Sequence, residues 1–384
     1  MIYKMKIAIF TYWWSEDNYG QMLQAFALQT YLKSLGFDTE IVRYRKTKRT
    51  IYDHFVFLIK AFSDKFLKTS YLVRYENPKN IRDLGFRSFR DSVLKMSIVQ
   101  FDSLRDLKKH PPEADIYICG SDKIWATYPR DIFRTDVFDT FTLNFGRNKK
   151  RIAYAPSIGK SDIPKIAARR FRRNLKRFDG ISVREESASI LMSKIGIRDS
   201  VWVPDPTQLI GADGYHHFIN SDPTKFQKTW FVYGLNNPSY ITSHQIAEEL
   251  LSKDIDFAYT GANGNADELI NCYPTIPEWL SYMYYASNVI TNSYHGCIFC
   301  ILFHKNFYYV PVLPDKNGLP DERVLSIMNR YNIKERAVQS LEELKQVIAN
   351  PNKPIDWDLV DAKREEFVQV GKDFLAKHLG DASR

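Results

Sequence analysis

A short polar turn that carries a histidine, TNSYHG, lies between an aromatic run and an apolar run in the last third of the chain. Its position predicts a loop that follows a buried strand and opens a helix, so backbone N–H groups and the positive helix dipole meet near Asn292, Ser293 and Gly296. Such a loop suits a phosphate or a carboxylate, and His295 can add a proton or a charge-assisted hydrogen bond. A capping turn in which His295 only fills space is the structural alternative.

Other polar residues follow further runs that are predicted as strands, and ligands of open parallel sheets bind outside the carboxyl ends of the strands. These residues are Asn18, Gly20, Ser121, Asp122, Ser157, Arg184, Glu185 and Asp205. Asp122 is a candidate base, and Arg184 is a candidate ligand for an anion. Arg184 and Glu185 would equally suit the start of a helix with a surface ion pair, and Arg323 has the same two interpretations.

The segments around these residues alternate short β-rich runs with helical patterns, which is typical of α/β proteins with parallel sheets. KIAIFT, a helical pattern that runs to Gly36, and TEIVRYR predict a β–α–β unit without the GxGxxG of dinucleotide-binding folds. A turn-rich stretch after Pro204 predicts two domains, residues 1–205 and 206–350. Residues 351–384 predict a last helix that packs back on the first domain.

Length and composition agree with two folded domains. The 384 residues are 44% hydrophobic and 14% aromatic, which excludes a disordered chain. No apolar run approaches the roughly 18 residues of a membrane helix, and no export signal is visible, so we expect a cytoplasmic protein. The four sparse cysteines also favour a reducing compartment. Cys297 and Cys300 beside His295 have no second ligand pair, and we expect no metal.

The net charge of +9 is concentrated in clusters that begin at Arg43, Arg147 and Arg169. Such clusters favour anionic partners, although each one alone is as typical of a solvated helix face. No nucleic-acid recognition signature accompanies them, so nucleic acid is not an expected partner. An aromatic and basic insertion near residues 50–110 is expected to pack on its domain or to touch a membrane or a lipid-linked substrate. The latter would make the protein peripheral at the inner face of the membrane.

Six segments, in this order, resemble the polysaccharide pyruvyl transferase family: NYGQMLQAFAL, GSDKIW, YAPSIG, ISVREES, DPTQLI and TNSYHGCIFCILFHK. The resemblance runs from about Met5 to Arg323. It implies a GT-B-like α/β fold of two Rossmann-like domains whose parallel sheets face an interdomain cleft. It also implies transfer of pyruvate from phosphoenolpyruvate to a sugar as a ketal, without a cofactor. The implied acceptor is a surface polysaccharide, such as an exopolysaccharide or capsule, or its lipid-linked precursor.

The resemblance also suggests roles for the residues. His295 becomes the candidate acid or phosphate ligand, and Asp122 the candidate base or ligand of a sugar hydroxyl. The residues expected to bind substrate are Asn18, Gly20, Ser121, Arg184, Glu185, Asn292, Ser293, Gly296 and Arg323. Some relatives carry an arginine where this chain has Ser293, and relatives commonly have glutamine at Lys123. Arg184 and Arg323 are therefore expected to hold the donor anions.

Two other functions stay open on the sequence. A glycosyltransferase that uses a sugar nucleotide has the same two-domain fold, and it would release a nucleotide instead of phosphate. A non-catalytic basic protein that binds membrane or nucleic acid would turn over no donor. Its binding would also be unchanged after replacement of His295 and Asp122.

Overall fold

The first of two parallel sheets occupies the N-terminal half of the chain. The computed structural model describes residues 4–46, 79–126, 135–315, 318, 320–351 and 354–380. The strands of the first sheet are β1 (Lys6–Phe10), β2 (Asp38–Tyr44), β3 (Met96–Phe101), β4 (Ile116–Cys119), β5 (Lys150–Ala153), β6 (Gly180–Val183) and β7 (Ser200–Trp202). They lie in the order β3-β2-β1-β4-β5-β6-β7. The strands that follow β1 in the chain, β2 and β3, lie on one side of it, whereas β4 to β7 lie on the other side. The order of the strands thus reverses between β1 and β4, and such a reversal leaves a crevice at the carboxyl ends of these two strands.

The second sheet is smaller and follows the turn-rich segment after Pro204. Its strands are β8 (Trp230–Leu235), β9 (Phe257–Ala262), β10 (Asn288–Thr291) and β11 (Asn306–Tyr309). They pair in parallel in the order β11-β10-β8-β9. All residues of β8, β9 and β10 are buried, as expected for parallel strands that are covered on both faces.

Helices surround both sheets, as the alternating sequence pattern predicted. They are α1 (Tyr19–Ser34), α2 (Lys79–Val93), α3 (Leu104–Lys109), α4 (Thr135–Phe141), α5 (Lys165–Leu175), α6 (Glu186–Lys194), α7 (Asp213–His216), α8 (Ser243–Ser252), α9 (Ile276–Tyr285), α10 (Tyr294–Leu302), α11 (Glu322–Tyr331), α12 (Leu341–Ala349) and α13 (Trp357–Leu379). Every residue of α10 is buried, because the helix is apolar on nearly all sides.

Helix α1 joins the two halves of the molecule. It belongs to an apolar cluster that includes residues of both sheets. The hydroxyl of Tyr19 donates a hydrogen bond to the carbonyl of Pro274 at 2.7 Å. The ring of Tyr19 also stacks on Trp279, with ring centroids 5.1 Å apart and an interplanar angle of 11°. The first turn of α1 is therefore held against the second half of the chain.

The last helix, α13, packs on the first sheet. The ring of Phe367 lies 4.8 Å from that of Trp202, and Phe374 lies 6.3 Å from Tyr154. A side chain at Gly371 would collide with the Tyr154 hydroxyl, since its Cβ would lie 2.6 Å from that oxygen. The first part of the aromatic insertion, residues 50–78, lies outside the described residues. In the part that is described, no helix is long and apolar enough to cross a membrane.

The Tyr19 contact predicts a measurable loss of stability in the Tyr19→Phe variant. Removing the hydroxyl leaves the buried carbonyl of Pro274 without its partner, so we expect the free energy of unfolding to fall by about 1–3 kcal/mol. Urea denaturation measures the change. Tyr240→Phe is the matched control, because Tyr240 is 48% exposed and should change stability by less than about 0.5 kcal/mol. Equal stability of both variants would contradict the prediction.

Candidate functional site

The buried carboxylate of Asp205 connects three of the predicted site residues. Its Oδ2 accepts hydrogen bonds from Arg184 Nη1 at 2.8 Å and from Ser121 Oγ at 3.0 Å, and it lies 3.4 Å from His295 Nε2. Ser121, Arg184 and Asp205 follow β4, β6 and β7, whereas His295 lies in the first turn of α10. The carboxyl edge of the first sheet and a helix of the second half thus meet at one carboxylate.

The contacts of Asp205 favour its ionised form. Its Oδ1 accepts hydrogen bonds from the backbone N–H and the hydroxyl of Thr207, at 3.0 and 2.7 Å. Burial by itself would raise the pKa of Asp205, but His295 and Arg184 outweigh burial and hold that pKa well below its usual range. The negative charge therefore compensates the cationic side chains around it at neutral pH.

Arg184 is enclosed completely, which excludes the surface ion pair that the sequence left open. Its guanidinium lies 4.3 Å from the centroid of the Tyr294 ring. Its Nε lies 3.5 Å from Glu185 Oε1, and Glu185 Oε2 accepts the backbone N–H of Ile158 at 3.2 Å. Glu185 is thus a second buried carboxylate beside the guanidinium, and it also holds the loop that follows β5.

Several buried polar atoms near this cluster lack a hydrogen-bond partner in the part of the chain that the structure describes. They are Gln21 Oε1, Ser157 Oγ, Arg184 Nη2 and His295 Nε2. A buried polar atom left unpaired costs about 1–3 kcal/mol, so such atoms rarely collect in one place without a reason. Arg184 Nη2 is an obligatory donor, and His295 Nε2 can donate when protonated. Together they suit an anionic ligand.

Gly20 gives His295 its place against α1. A Cβ at position 20 would lie 2.2 Å from His295 Nδ1, so a side chain here would displace the imidazole. Asn18 caps the same helix, because its side chain accepts the backbone N–H of Gln21 at 3.0 Å. The Asn18 amide also donates to Asn263 Oδ1 across the two halves at 2.9 Å. Both residues therefore fix the position of the first turn of α1.

Within the TNSYHG turn, the neighbours of His295 have structural contacts. The Asn292 amide pairs with the backbone of Leu235, through Oδ1 at 2.7 Å and Nδ2 at 3.0 Å. Ser293 Oγ accepts the N–H of Gly296 at 3.2 Å and caps α10. A Cβ at Gly296 would lie 2.6 Å from Thr291 Oγ1. These residues shape the turn, so that His295 is the side chain from it that reaches Asp205.

Asp122 lies beside this cluster, between Ser121 and Lys123. Its backbone is in the left-handed region at φ 66°, a conformation that aspartate tolerates better than most residues. Its Oδ2 accepts a hydrogen bond from Gln21 Nε2 at 3.3 Å, and its Oδ1 accepts the N–H of Lys123 at 2.7 Å. The carboxylate is partly exposed, which keeps it accessible to a substrate hydroxyl.

Lys123 and Arg323 form a second cationic pair. The Lys123 stem passes over Gly159, where a Cβ would lie 2.7 Å from Lys123 Cε. Burial and the neighbouring Arg323 lower the pKa of Lys123 to about 8. Arg323 forms a salt bridge with Asp321, in which Nε lies 2.8 Å from Oδ1. Arg323 therefore has the ion pair that the sequence allowed, but the pair is mostly buried and lies beside Lys123.

Sequence reasoning did not assign roles to Asp205, Tyr294 and Gln21. Asp205 carried a usable signal, because an Asp-Pro pair directly after a strand end favours a capping carboxylate. Tyr294 and Gln21 carried no such signal, since only the packed structure brings them to Arg184 and Asp122. Cys297 and Cys300 are buried within α10. Among the described residues, no group of His, Cys, Asp or Glu side chains is arranged to hold a metal ion.

Comparisons with known proteins agree with this geometry. The sequence model of the family described as polysaccharide pyruvyl transferase matches residues 18–313, which contain all six segments singled out above. The fold is similar to UDP-GlcNAc 2-epimerase from Methanocaldococcus jannaschii, solved with UDP-GlcNAc and UDP, at a TM-score of 0.51 and 10% identity over 96% of this chain and 100% of that one. The UDP-N-acetylglucosamine 2-epimerase from Rickettsia bellii gives a TM-score of 0.50 and 7% identity over 98% and 99% of the two chains. These similarities confirm the GT-B-like fold. No curated protein matches the sequence.

The Asp205 cluster predicts a large loss of stability in Asp205→Asn. The variant keeps the side-chain shape but removes the closer of the two carboxylates beside the buried Arg184 and leaves only Glu185 at 3.5 Å, so we expect the free energy of unfolding at pH 7 to fall by about 3 kcal/mol. Because the pKa of Asp205 is lowered by folding, the stabilisation is present above the unfolded pKa of about 3.9 and is lost as the pH falls below it.

Urea unfolding across this pH range measures both effects. The difference between wild type and Asp205→Asn should be constant near neutral pH and shrink in acid. Asp213→Asn is the control, since the Asp213 side chain is 99% exposed and should change stability by less than about 0.5 kcal/mol. A difference that stays the same in acid would show that the charge of Asp205 is not the cause.

Proposed function

The chain belongs to the polysaccharide pyruvyl transferase family, and we propose that it transfers pyruvate from phosphoenolpyruvate to a sugar of a polysaccharide or of its lipid-linked precursor as a ketal. One observation carries the proposal. Arg184 Nη2 is a buried donor without a hydrogen-bond partner among the described residues, and the imidazole of His295 approaches the carboxylate that Arg184 also contacts, Asp205, at 3.4 Å. A phosphate or carboxylate of the donor can accept hydrogen bonds from both.

The start of α10 adds to this anion site. The helix begins at Tyr294, so the N–H groups of its first turn have no acceptors within the helix and its dipole is positive at this end. Lys123 supplies a further charge below pH 8 or so. Asp205 and Glu185 offset part of this positive charge. The site therefore holds the donor without trapping the phosphate that the reaction releases.

The reaction makes and breaks a defined set of bonds. The methylene carbon of phosphoenolpyruvate gains a proton as the carbon–carbon double bond breaks, two sugar oxygens bond to C2, and the bond between C2 and the phosphate oxygen breaks. The protons of the two sugar hydroxyls balance the equation, because one is equivalent to the proton taken up by carbon and the other leaves with phosphate. The protein must supply an acid, a base and a binding site for the leaving phosphate.

His295 and Asp122 are the residues to which we assign the proton transfers. The His295 imidazole lies 3.4 Å from the carboxylate of Asp205 and against Gly20, so it is positioned to serve as the acid or to hold the phosphate. Asp122 Oδ2 is positioned by Gln21 and is partly exposed, which suits a base that takes a sugar proton. The two residues come from different halves of the chain, so the intact cleft is needed for turnover.

The test of the proposal is release of phosphate from phosphoenolpyruvate in the presence of a panel of lipid-linked glycans, with mass spectrometry of the glycan. We expect His295→Gln to lose about 10²–10⁴-fold in rate, because glutamine can form a hydrogen bond but cannot give or take a proton as an imidazole does. Its unfolding curve should stay close to that of wild type. His110→Gln is the control, since His110 is exposed at the end of α3.

Two results would overturn the assignment. Wild-type turnover by His295→Gln, with unchanged saturation by phosphoenolpyruvate, would leave His295 only a structural role. Release of a nucleotide from UDP-GlcNAc, without any phosphate release from phosphoenolpyruvate, would favour a sugar-nucleotide glycosyltransferase instead.

Lys123 predicts a pH dependence of donor binding. Because the pKa of Lys123 is about 8, the amine is charged below that pH and neutral above it. We expect kcat/KM for phosphoenolpyruvate to fall as the pH rises through about 8 in wild type. Lys123→Met should lower kcat/KM at pH 7 and abolish this inflection. In Lys123→Arg, kcat/KM should not change with pH near 8, because arginine stays charged. Lys109→Met is the control, because Lys109 is exposed, and this variant should retain the wild-type pH profile. An unchanged inflection in Lys123→Met would exclude Lys123 as the source of the inflection.

A further inference from the structure

A cavity lies away from the Asp205 site, beside the carboxyl ends of β1 and β2 and along β3. It has a volume of about 520 Å³, and two tryptophans and three arginines contribute to its wall: Trp13, Trp14, Arg43, Arg45 and Arg90. We refer to it as the Arg–Trp cavity. None of these residues has a part in the reaction proposed above.

The Arg–Trp cavity carries an unbalanced positive charge. Its two carboxylates are already engaged, because Glu16 pairs with Arg87 at 2.9 Å and Asp91 pairs with Arg90 at 3.0 Å. Arg43 and Arg45 have no salt bridge to any carboxylate among the described residues. The Arg43 guanidinium donates through Nη2 to the carbonyl of Ile98, and its Nε is buried without a partner in the same part of the chain. An anion would therefore find donors in place.

The tryptophans give this cavity a rigid aromatic wall. Trp13 Nε1 donates to the carbonyl of Tyr44 at 3.0 Å, which fixes the ring at the end of β2. The Arg90 guanidinium lies 5.7 Å from a Trp13 ring centroid, and Trp14 meets Trp13 edge to face at 6.0 Å. Apolar ring faces beside arginines suit a ligand that joins a sugar to a phosphate, because each part has its own surface.

A smaller cavity adjoins the Arg–Trp cavity on the side of Gln21. It has a volume of about 350 Å³ and shares Trp14 and Glu16 with the Arg–Trp cavity. Gln21 also lines it, and the Gln21 amide donates to Asp122 Oδ2 at 3.3 Å. The two cavities therefore adjoin at Trp14 and Glu16, and Asp122 lies behind Gln21 in the wall of the smaller one.

We propose that the Arg–Trp cavity binds the phosphate group of a glycosyl phosphate or glycosyl diphosphate acceptor, whose sugar lies along Trp14 towards Asp122. Arg43 and Arg45 hold the phosphate, and Trp14 packs against the sugar. The role of the sugar end rests on the function proposed above. The phosphate site itself is independent of that function, since it is formed by other residues on another part of the sheet edge.

Calorimetric titration with inorganic pyrophosphate, in protein saturated with phosphoenolpyruvate, tests the phosphate site. The double variant Arg43→Gln/Arg45→Gln should bind pyrophosphate about tenfold more weakly or worse, because two charge-assisted contacts are lost. Arg147→Gln/Arg169→Gln is the matched control, since it removes the same charge from exposed positions away from both cavities. Equal pyrophosphate affinity of wild type and Arg43→Gln/Arg45→Gln would overturn the proposal.

Turnover and vesicle binding separate the sources of phosphate. With diphosphate-linked glycans, Arg43→Gln/Arg45→Gln should raise KM for the acceptor and leave KM for phosphoenolpyruvate unchanged. If the double variant instead loses sedimentation with phosphatidylglycerol vesicles while its pyrophosphate affinity is unchanged, the arginines bind a lipid headgroup and the proposal is wrong. If no acceptor supports phosphate release but pyrophosphate binding still depends on Arg43 and Arg45, the phosphate site stands and the pyruvyl transfer fails.

Discussion

The geometry of the candidate site depends on one buried ion pair. Arg184 and Asp205 are both inaccessible to water, and neither could be buried alone without a cost of several kcal/mol. Their contact forces the ends of β6 and β7 together, and Ser121 brings the end of β4 to the same oxygen. His295 then approaches this carboxylate from the second half of the chain. The ion pair thus orders the first sheet and sets where the histidine must lie.

Helix α1 transmits this order from one half to the other. Tyr19 anchors its first turn to Trp279 and Pro274, whereas Gly20 in the same turn leaves space for the imidazole of His295. The two contacts require a large side chain at position 19 and no side chain at position 20. A small movement of α1 would therefore change both the contact between the two halves and the position of His295.

The basic residues along the carboxyl edge of the first sheet differ in how deeply they are buried. The cations near Asp205 are enclosed and largely compensated by carboxylates. Arg43 and Arg45 lie at a more open part of the same sheet edge, without salt bridges among the described residues, and they suit a ligand that remains partly in solvent. Lys123 differs from both groups, because its pKa lies near the physiological range and its charge can respond to pH.

Local pattern determined much of the architecture. Alternating β-rich and helical runs predicted the parallel α/β arrangement, and the terminal helical pattern coincides with α13, Trp357–Leu379. The order of six short segments indicated the family. These features are readable because each depends on residues that are close together in the chain. The tertiary structure decided which polar residues share a site, because Asp205 and His295 are 90 positions apart and meet only when both sheets have formed. The tertiary structure also determined that Asn292 forms a hydrogen bond with the backbone of Leu235 and that Arg184 is buried. Neither could be read from the sequence, since hydrogen-bond partners and burial depend on how distant segments pack.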